Sequence, residues 1–290
     1  CNKHGRREAD TMDTFVCSSW YYFRFADPHN EKEFASKEAI EKWLPVDMYM
    51  GGAEHTVLHL MYARFFTKVL NKLGYIKFNE PFLKLRHQGM ILASDGRKMS
   101  KSLGNVINPN SIVEEYGADT LRLHEMFLGP LEDMKAWNTQ TIVGPRRFLE
   151  RVWRLKEKVS ETKDTSEIES TIHRTIKKVG EDIESFSFNT AISTLMILVN
   201  EMEKLAMVIR KDYEVLLVLL APFAPHITEE LWHEIGNTQS VHLALWPIYD
   251  PSKCIDSEVT IAVQVNGKVR DTMLVAIDAP EDEIKAQATS

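Results

Sequence analysis

The spacing of apolar residues along this chain changes period twice, and each change marks a different kind of structure. Up to about residue 141, short apolar runs alternate with glycine-bounded helical patterns. Val46 to Met50 reads as a strand ending at Gly51-Gly52. A helical pattern follows from Thr56 to Leu73 and stops at Gly74, where a residue free to turn left-handed caps a helix well. Phe82 to Arg86 is a second strand that leads into a basic loop. Ser111-Ile112-Val113-Glu114 has the form of a capping box, and Gly117 ends that short helix. Strand, loop, helix, strand and loop predict part of a doubly wound α/β sheet, with fewer strands than a whole one needs.

From residue 142 to 236 the period becomes helical throughout. Ile172, Ile176, Val179, Ile183 and Phe186 keep a four-then-three spacing, as do Leu195, Leu198, Met202 and Leu205. Both stripes are suited to burial against neighbouring helices, which predicts a bundle. The polar run Ser160 to Ser170 reads as a loop, and Pro222 and Pro225 interrupt an apolar run that resumes from Ile227 to Ile235. After residue 256 the period falls to two: Val259, Ile261, Val263 and Val265 alternate with smaller or polar residues. Asn266-Gly267 then separates them from Val269, Met273 and Val275, a strong hairpin signal. A lone hairpin is marginally stable, so it is expected to open a third, truncated α+β domain. The expected divisions are 1–141, 142–255 and 256–290.

Composition bounds the function. The net charge of −7 argues against a generally basic nucleic-acid binder but leaves room for a local basic face. Three cysteines, Cys1, Cys17 and Cys254, lie too far apart for a disulfide framework and fit a reducing, cytoplasmic setting. No apolar run approaches the roughly 18 residues that span a bilayer, so no membrane partner is expected. Cys1 and His4 form half a zinc knuckle with no second pair nearby, so no metal site is expected. The chain begins without methionine, like an interior segment, which predicts a fragment or a separately encoded subunit.

The densest chemistry is the run Ser94-Asp95-Gly96-Arg97-Lys98-Met99-Ser100-Lys101-Ser102-Leu103-Gly104-Asn105. Three cations fall within five residues, flanked by glycines and interleaved with hydroxyls. Such a loop is able to bend round a polyphosphate while compact ammonium groups reach its oxygens. A solvated basic turn is the plainer reading of the same residues. A second group is Gly51-Gly52-Ala53-Glu54-His55, placed after a strand and before a helix. Amides at a helix start attract anions, glycines admit close approach, and a carboxylate just beyond suits ribose hydroxyls. His55 and His59 stand four apart, on one helical face. Alone they fit packing as well as binding, and Glu-His-x-x-x-His is not a zinc-protease order. Phe15, Ser18 and Tyr21 recur at three-residue spacing, which suits an aromatic core segment equally well. Arg146, Arg147, Arg151 and Arg154, with Lys156 and Lys158, fall on an early bundle helix. They suit either phosphate contacts or a solvated face.

The literal Lys98-Met99-Ser100-Lys101-Ser102 string resembles the nucleotide-binding signature of class I aminoacyl-tRNA synthetases. Gly51 to Phe65 (GGAEHTVLHLMYARF) and Val263 to Arg270 (VQVNGKVR) are similar to the leucyl family within that class. Leu220 to Trp232 resembles the anticodon-binding bundle that leucyl, isoleucyl and valyl enzymes share. The resemblance implies the second half of a Rossmann-type catalytic domain, then an all-α bundle of the anticodon-binding type and a C-terminal β-hairpin. It implies ATP-dependent ligation of leucine to tRNA(Leu) through leucyl-adenylate, with Mg²⁺ accompanying ATP. Lys98 and Lys101 are implied as catalytic, neutralising the departing pyrophosphate. Gly51, Gly52, Glu54, Met90, Ile91, Lys98, Ser100 and Lys101 are implied to hold ATP, with Glu54 on the ribose and Met90 and Ile91 on the adenine. Phe15, Ser18, Tyr21, His55 and His59 are implied to form the leucine pocket. The four arginines are implied to meet tRNA.

The family's other signature, His-Ile-Gly-His, does not occur in these residues, and neither does its editing insertion. The missing N-terminal half, from the same gene or a separate subunit, is therefore an expected partner, and the chain alone is expected to be inactive. Two further readings stay open on the residues: a non-catalytic tRNA-binding module, and a valyl or isoleucyl enzyme.

Overall fold

The computed structural model describes residues 5, 9–10, 14–161, 167–254, 258–265, 268–276 and 279–289. Cys1, His4 and the Asn266-Gly267 turn lie outside the described residues. The chain divides into two compact units. The first comprises residues up to Asn105 together with Leu131–Trp137, and the second holds Val106–Pro130 and Asn138 onward.

In the first unit, two short helices, α1 (Thr14–Ser18) and α2 (Tyr21–Ala26), precede α3 (Lys37–Trp43). The Ser36 hydroxyl accepts from Ala39 N and starts α3. Strand β1 (Tyr49–Gly52) runs through the two glycines instead of stopping before them. A 3₁₀ turn, Ala53–Val57, separates it from α4 (His59–Lys72). The helix therefore begins three residues later than the apolar spacing predicts. Gly74, at a φ of 81°, follows its last turn as expected. The second strand, β2, occupies Leu85–Gln88, shifted along from the predicted Phe82–Arg86. Phe82 instead forms an isolated bridge with Val46 and stacks on Tyr49, with ring centroids 3.9 Å apart. β1 and β2 are parallel, with Tyr49 opposite Leu85 and Gly51 opposite His87. β3 (Ile91–Leu92) pairs in parallel with β4 (Lys135–Ala136). The unit's core gathers Tyr22, Phe23, Ile40, Ala63 and Ile76. The buried Tyr22 hydroxyl meets Thr67 at 2.7 Å, and burial pushes its pKa up to about 12.

The second unit opens with α5 (Pro109–Tyr116) and α6 (Ala118–Phe127). The capping-box reading of Ser111–Glu114 is corrected here. Asn108 is the N-cap and accepts from Asn110 N, with Pro109 in the first turn. Proline's fixed φ starts the helix earlier than the Ser-x-x-Glu pattern suggests. The bundle follows: α7 (Val143–Leu155), β5 (Val159–Ser160), α8 (Glu169–Glu184), α9 (Phe188–Lys204), β6 (Val208–Ile209), α10 (Arg210–Leu220) and α11 (Pro225–Glu234). Both predicted stripes form one core, with Ile172, Ile176, Val179, Leu195, Leu198 and Met202 all buried. Helix α10 is buried on almost every side, from Asp212 and Tyr213 through Leu216–Leu220. Strands β7 (Glu258–Val265) and β8 (Lys268–Ala276) make the expected antiparallel hairpin, and α12 (Glu281–Thr289) follows.

One glycine is fixed by contact rather than by φ. A Cβ on Gly89 would lie 1.8 Å from the Asp133 carbonyl oxygen, because Gly89 N donates to Leu131 O at 2.7 Å. Gly51 has nothing within 4 Å of such an atom. Gly89→Ala is expected to destabilise the chain by about 1–3 kcal/mol and Gly51→Ala by much less, as read by urea unfolding. Equal midpoints for the two variants would contradict the close approach.

Candidate active site

A cavity of about 470 Å³ lies at the end of the β1–β2 pair. Strand β1 supplies Tyr49, Met50, Gly51 and Gly52, and β2 supplies Leu85, His87 and Gln88. His55 and His59 enter from the 3₁₀ turn and the first turn of α4, and Thr14, Phe15, Ser18 and Tyr21 from α1 and α2. The five residues expected to hold an amino-acid side chain thus share one cavity with the glycine pair. Their local geometry differs from the simple pictures. Phe15, Ser18 and Tyr21 do not lie on one helix, because the backbone breaks between α1 and α2. His55 and His59 straddle the junction of 3₁₀ and α structure, their rings edge-on at 6.4 Å. Tertiary packing, not helical periodicity, brings the five together.

Tyr49 ties the walls. Its hydroxyl lies 2.7 Å from the Tyr21 hydroxyl and 2.7 Å from His59 Nε2. One oxygen therefore links β1, α2 and α4. Burial, with a smaller contribution from His55, lowers the pKa of His59, which keeps its ring neutral at neutral pH. Its Nδ1 is buried with no hydrogen-bond partner among the described residues. His87 Nδ1 stands 3.1 Å from the Gly51 carbonyl, which only accepts, so Nδ1 carries the proton. Tyr49 and His87 are wall residues that the sequence reading did not assign. Their signal is the strand register, which sets Tyr49 with Leu85 and Gly51 with His87.

The expected nucleotide residues follow along the chain from this cavity, and only Gly51 and Gly52 are among its walls. The exposed Glu54 carboxylate folds back over Gly52, where a Cβ would lie 2.3 Å from Oε2. The Met90 carbonyl accepts from Lys135 N at 3.1 Å, and Ile91 sits in β3. The basic loop is held by its own backbone. Ala93 N donates to Arg97 O at 2.8 Å, Ser100 N to Asn105 Oδ1 at 2.8 Å, and Asn105 Nδ2 to Lys98 O at 3.3 Å. Gly96 and Gly104 adopt φ values of 78° and 64°, which a side chain disfavours. Arg97 pairs with Asp95 at 2.6 Å. Lys98 and Lys101 are exposed and have no carboxylate partner among the described residues. Two ammonium groups and the Ser100 hydroxyl are thereby presented on a braced loop.

The four arginines of α7 do not form a single patch. Arg146 pairs with Glu150 and donates to Tyr116 O, and Arg154 donates to Glu150 O. Arg151 is held by Glu203 through two 3.0 Å bonds from Nε. Arg147 is exposed. Lys156 pairs with Glu234 above the Trp153 ring, and Lys158 donates to the Glu203 and Leu205 carbonyls. Among the described residues no group of three or more His, Cys, Asp or Glu is placed to hold a metal ion, and no helix is long and apolar enough to cross a membrane.

Residues 2–136 match the family model of class I tRNA synthetases (I, L, M and V), and residues 165–285 match that of the anticodon-binding domain of tRNA ligase. The leucine–tRNA ligase of Alkaliphilus oremlandii is 48% identical over 99% of the chain. The chain belongs to the leucyl-tRNA synthetase family. It spans about a third of that relative, 36% of its length. The LeuRS of Agrobacterium radiobacter K84 (agnB2), solved as a ternary complex with tRNA and LeuAMS, superposes with a TM-score of 0.80. It is 37% identical, over 98% of this chain and 39% of that one. Methionyl-tRNA synthetase from Mycobacterium tuberculosis, 16% identical with a TM-score of 0.59 over 77% of this chain and 50% of its own, shares the fold. The fold is thus the class I catalytic portion followed by the anticodon-binding bundle.

The neutral His59 has a consequence for stability. Its folded pKa lies below its unfolded value of about 6.5, so the unfolded chain binds protons first as pH falls. Stability from this residue is complete above about pH 6.5 and is lost as pH drops through the folded value. His124, lowered by burial, adds to the same trend. His59→Gln is expected to flatten part of the loss in melting temperature between about pH 7 and pH 5. Wild type and variant with parallel pH profiles would show that His59 is not buried as a neutral ring.

Proposed function

We propose that this chain takes part in ATP-dependent joining of leucine to tRNA(Leu) through leucyl-adenylate. The observation that carries the reading is the single cavity that gathers Phe15, Ser18, Tyr21, His55 and His59 beside Gly51-Gly52, in a member of the leucyl family. Phe15, Tyr21 and the neutral His59 surround an aliphatic side chain. The leucine carboxylate attacks the α-phosphorus of ATP, the α–β phosphoanhydride bond breaks, and pyrophosphate leaves. A terminal ribose hydroxyl of tRNA then attacks the acyl carbon and AMP departs. Little covalent chemistry falls to the protein, which positions groups and stabilises charge. Lys98 and Lys101, without carboxylate partners, meet the charge growing on pyrophosphate, and Glu54 meets the ribose. Mg²⁺ would accompany the triphosphate, and among the described residues no group of carboxylates is placed to cage it.

A further polypeptide completes the site. Class I relatives extend well beyond the stretch matched here, and β1 and β2 are a two-stranded parallel sheet, an arrangement that is stable when covered. Leu58, Met61 and Phe65 leave an apolar face of α4 exposed, which supports packing against that remainder. The isolated chain is accordingly inactive.

In the complete synthetase, Lys101→Ala is expected to slow leucine-dependent ATP–pyrophosphate exchange by about 100-fold or more while leucine affinity changes little. An unchanged exchange rate would remove the loop from the chemistry. The same assay on this chain should give no exchange alone, and activity on addition of the N-terminal polypeptide. Tight tRNA binding with no exchange in either form would favour a non-catalytic RNA-binding module.

A further inference from the structure

The 3₁₀ turn Ala53–Val57 carries Glu54 and His55, the ribose and leucine groups of the proposed reaction, yet little holds it in place. All five of its residues are exposed. Its N-cap, Gly52, has no side chain to cap it, and at its other end Leu58 N reaches only back to His55 O, at 3.2 Å. The register of β1 with β2 ends at Gly52 opposite Gln88, so the ladder stops where the turn begins. The half-buried His87 ring stands at that point. On the strand side its Nδ1–H donates to Gly51 O at 3.1 Å. On the turn side its Nε2, the unprotonated nitrogen, accepts from the Thr56 hydroxyl at 3.4 Å. Among the described residues this is the one side-chain hydrogen bond from the turn to a strand.

We propose that His87 is a positioning residue for both substrates, clamping the Glu54–His55 turn to the end of β1 through Gly51 and Thr56. One imidazole uses both of its nitrogens, one on the strand and one on the turn. A single side chain thereby sets the place of two binding groups that face different ligands. A hydrogen bond that holds a binding group in its bound geometry lowers the cost of ordering that group on association. Loss of the clamp raises that cost for ATP and for leucine alike. His87 also lines the cavity, and a residue that acted only as cavity wall would bear on leucine alone. This assignment rests on the reading of Glu54 and His55 as the ATP and leucine groups of a leucyl synthetase, and adds the residues that hold them in register.

Leucine-dependent ATP–pyrophosphate exchange in the complete synthetase tests it. His87→Ala should raise the KM for leucine and the KM for ATP together, by about 5-fold each, with kcat within about 2-fold of wild type. Thr56→Val, which removes only the hydroxyl, should raise both by a smaller factor, and Thr56→Ser should behave as wild type. The double variant should be no worse than His87→Ala, because the pair acts as one unit. His55→Ala and Glu54→Gln supply the contrast, the first moving the leucine KM and the second the ATP KM. A rise in the leucine KM alone in His87→Ala makes the ring a cavity wall and overturns the clamp. A lowered melting temperature with both KM values unchanged makes the residue structural and overturns it as well. Thr56→Val with wild-type KM values removes the turn-side contact, and the proposal with it. If His55→Ala and Glu54→Gln move neither KM, the assignment of those two groups fails together with the clamp; every other outcome leaves that assignment standing.

Discussion

The parallel pairing of β1 with β2 is the constraint on which the candidate site depends. These strands are separated in sequence by all of α4, yet Gly51 lies opposite His87 in their register. A slip of one residue would turn Tyr49 and His87 to the other face. Tyr49 would then lose Tyr21 and His59, and the cavity would lose its link between β1, α2 and α4. The 3.9 Å stacking of Phe82 on Tyr49 and the Val46–Phe82 bridge oppose such a slip from the strand entrance. The close approach of Gly89 to Asp133 opposes it from the exit. Binding surface and sheet register are therefore one physical problem in this unit.

Charge in the basic loop is managed locally. Arg97 is paired with its neighbour Asp95. Asn105 then braces the turn from both ends, accepting from Ser100 N and donating to Lys98 O. Neutral hydrogen bonds hold the shape, and the two lysines are left with their charge. A loop braced by carboxylates on Lys98 and Lys101 would be just as ordered and would have no cation to offer. The same separation of scaffold and charge recurs on α7, where Arg151 is consumed by Glu203 and Arg147 is not.

Much of this was legible in the residues, and the limits have physical causes. Bundle stripes such as Ile172–Ile176–Val179 announce themselves because a helix buried on one face repeats its demand every turn. The hairpin is equally plain from its alternation. Strand ends were misplaced by a few residues, since Val46–Met50 and Phe82–Arg86 are apolar beyond the paired segments. The start of α5 was misread because a local Ser-x-x-Glu pattern competed with Asn108-Pro109, and proline's fixed φ prevailed. Phe15, Ser18, Tyr21, His55 and His59 were gathered through family resemblance. Spacing alone gave the wrong local picture for both groups. Tyr49 and His87 were invisible as wall residues because their role arises from strand register. The division of the α7 arginines is also a tertiary fact, fixed by Glu150 on one side and Glu203 on the other.

Helix α10 carries a different kind of information. With Tyr213 and Leu216–Leu220 enclosed by its neighbours, and the Tyr213 hydroxyl bonded to Val152 O at 2.9 Å, it meets solvent mainly in its first turn, at Lys211. Its central amides exchange with deuterated water only when the surrounding helices come apart together. The protection of this one segment therefore reports the cooperative free energy of the bundle, separately from anything that happens around the cavity in the other unit.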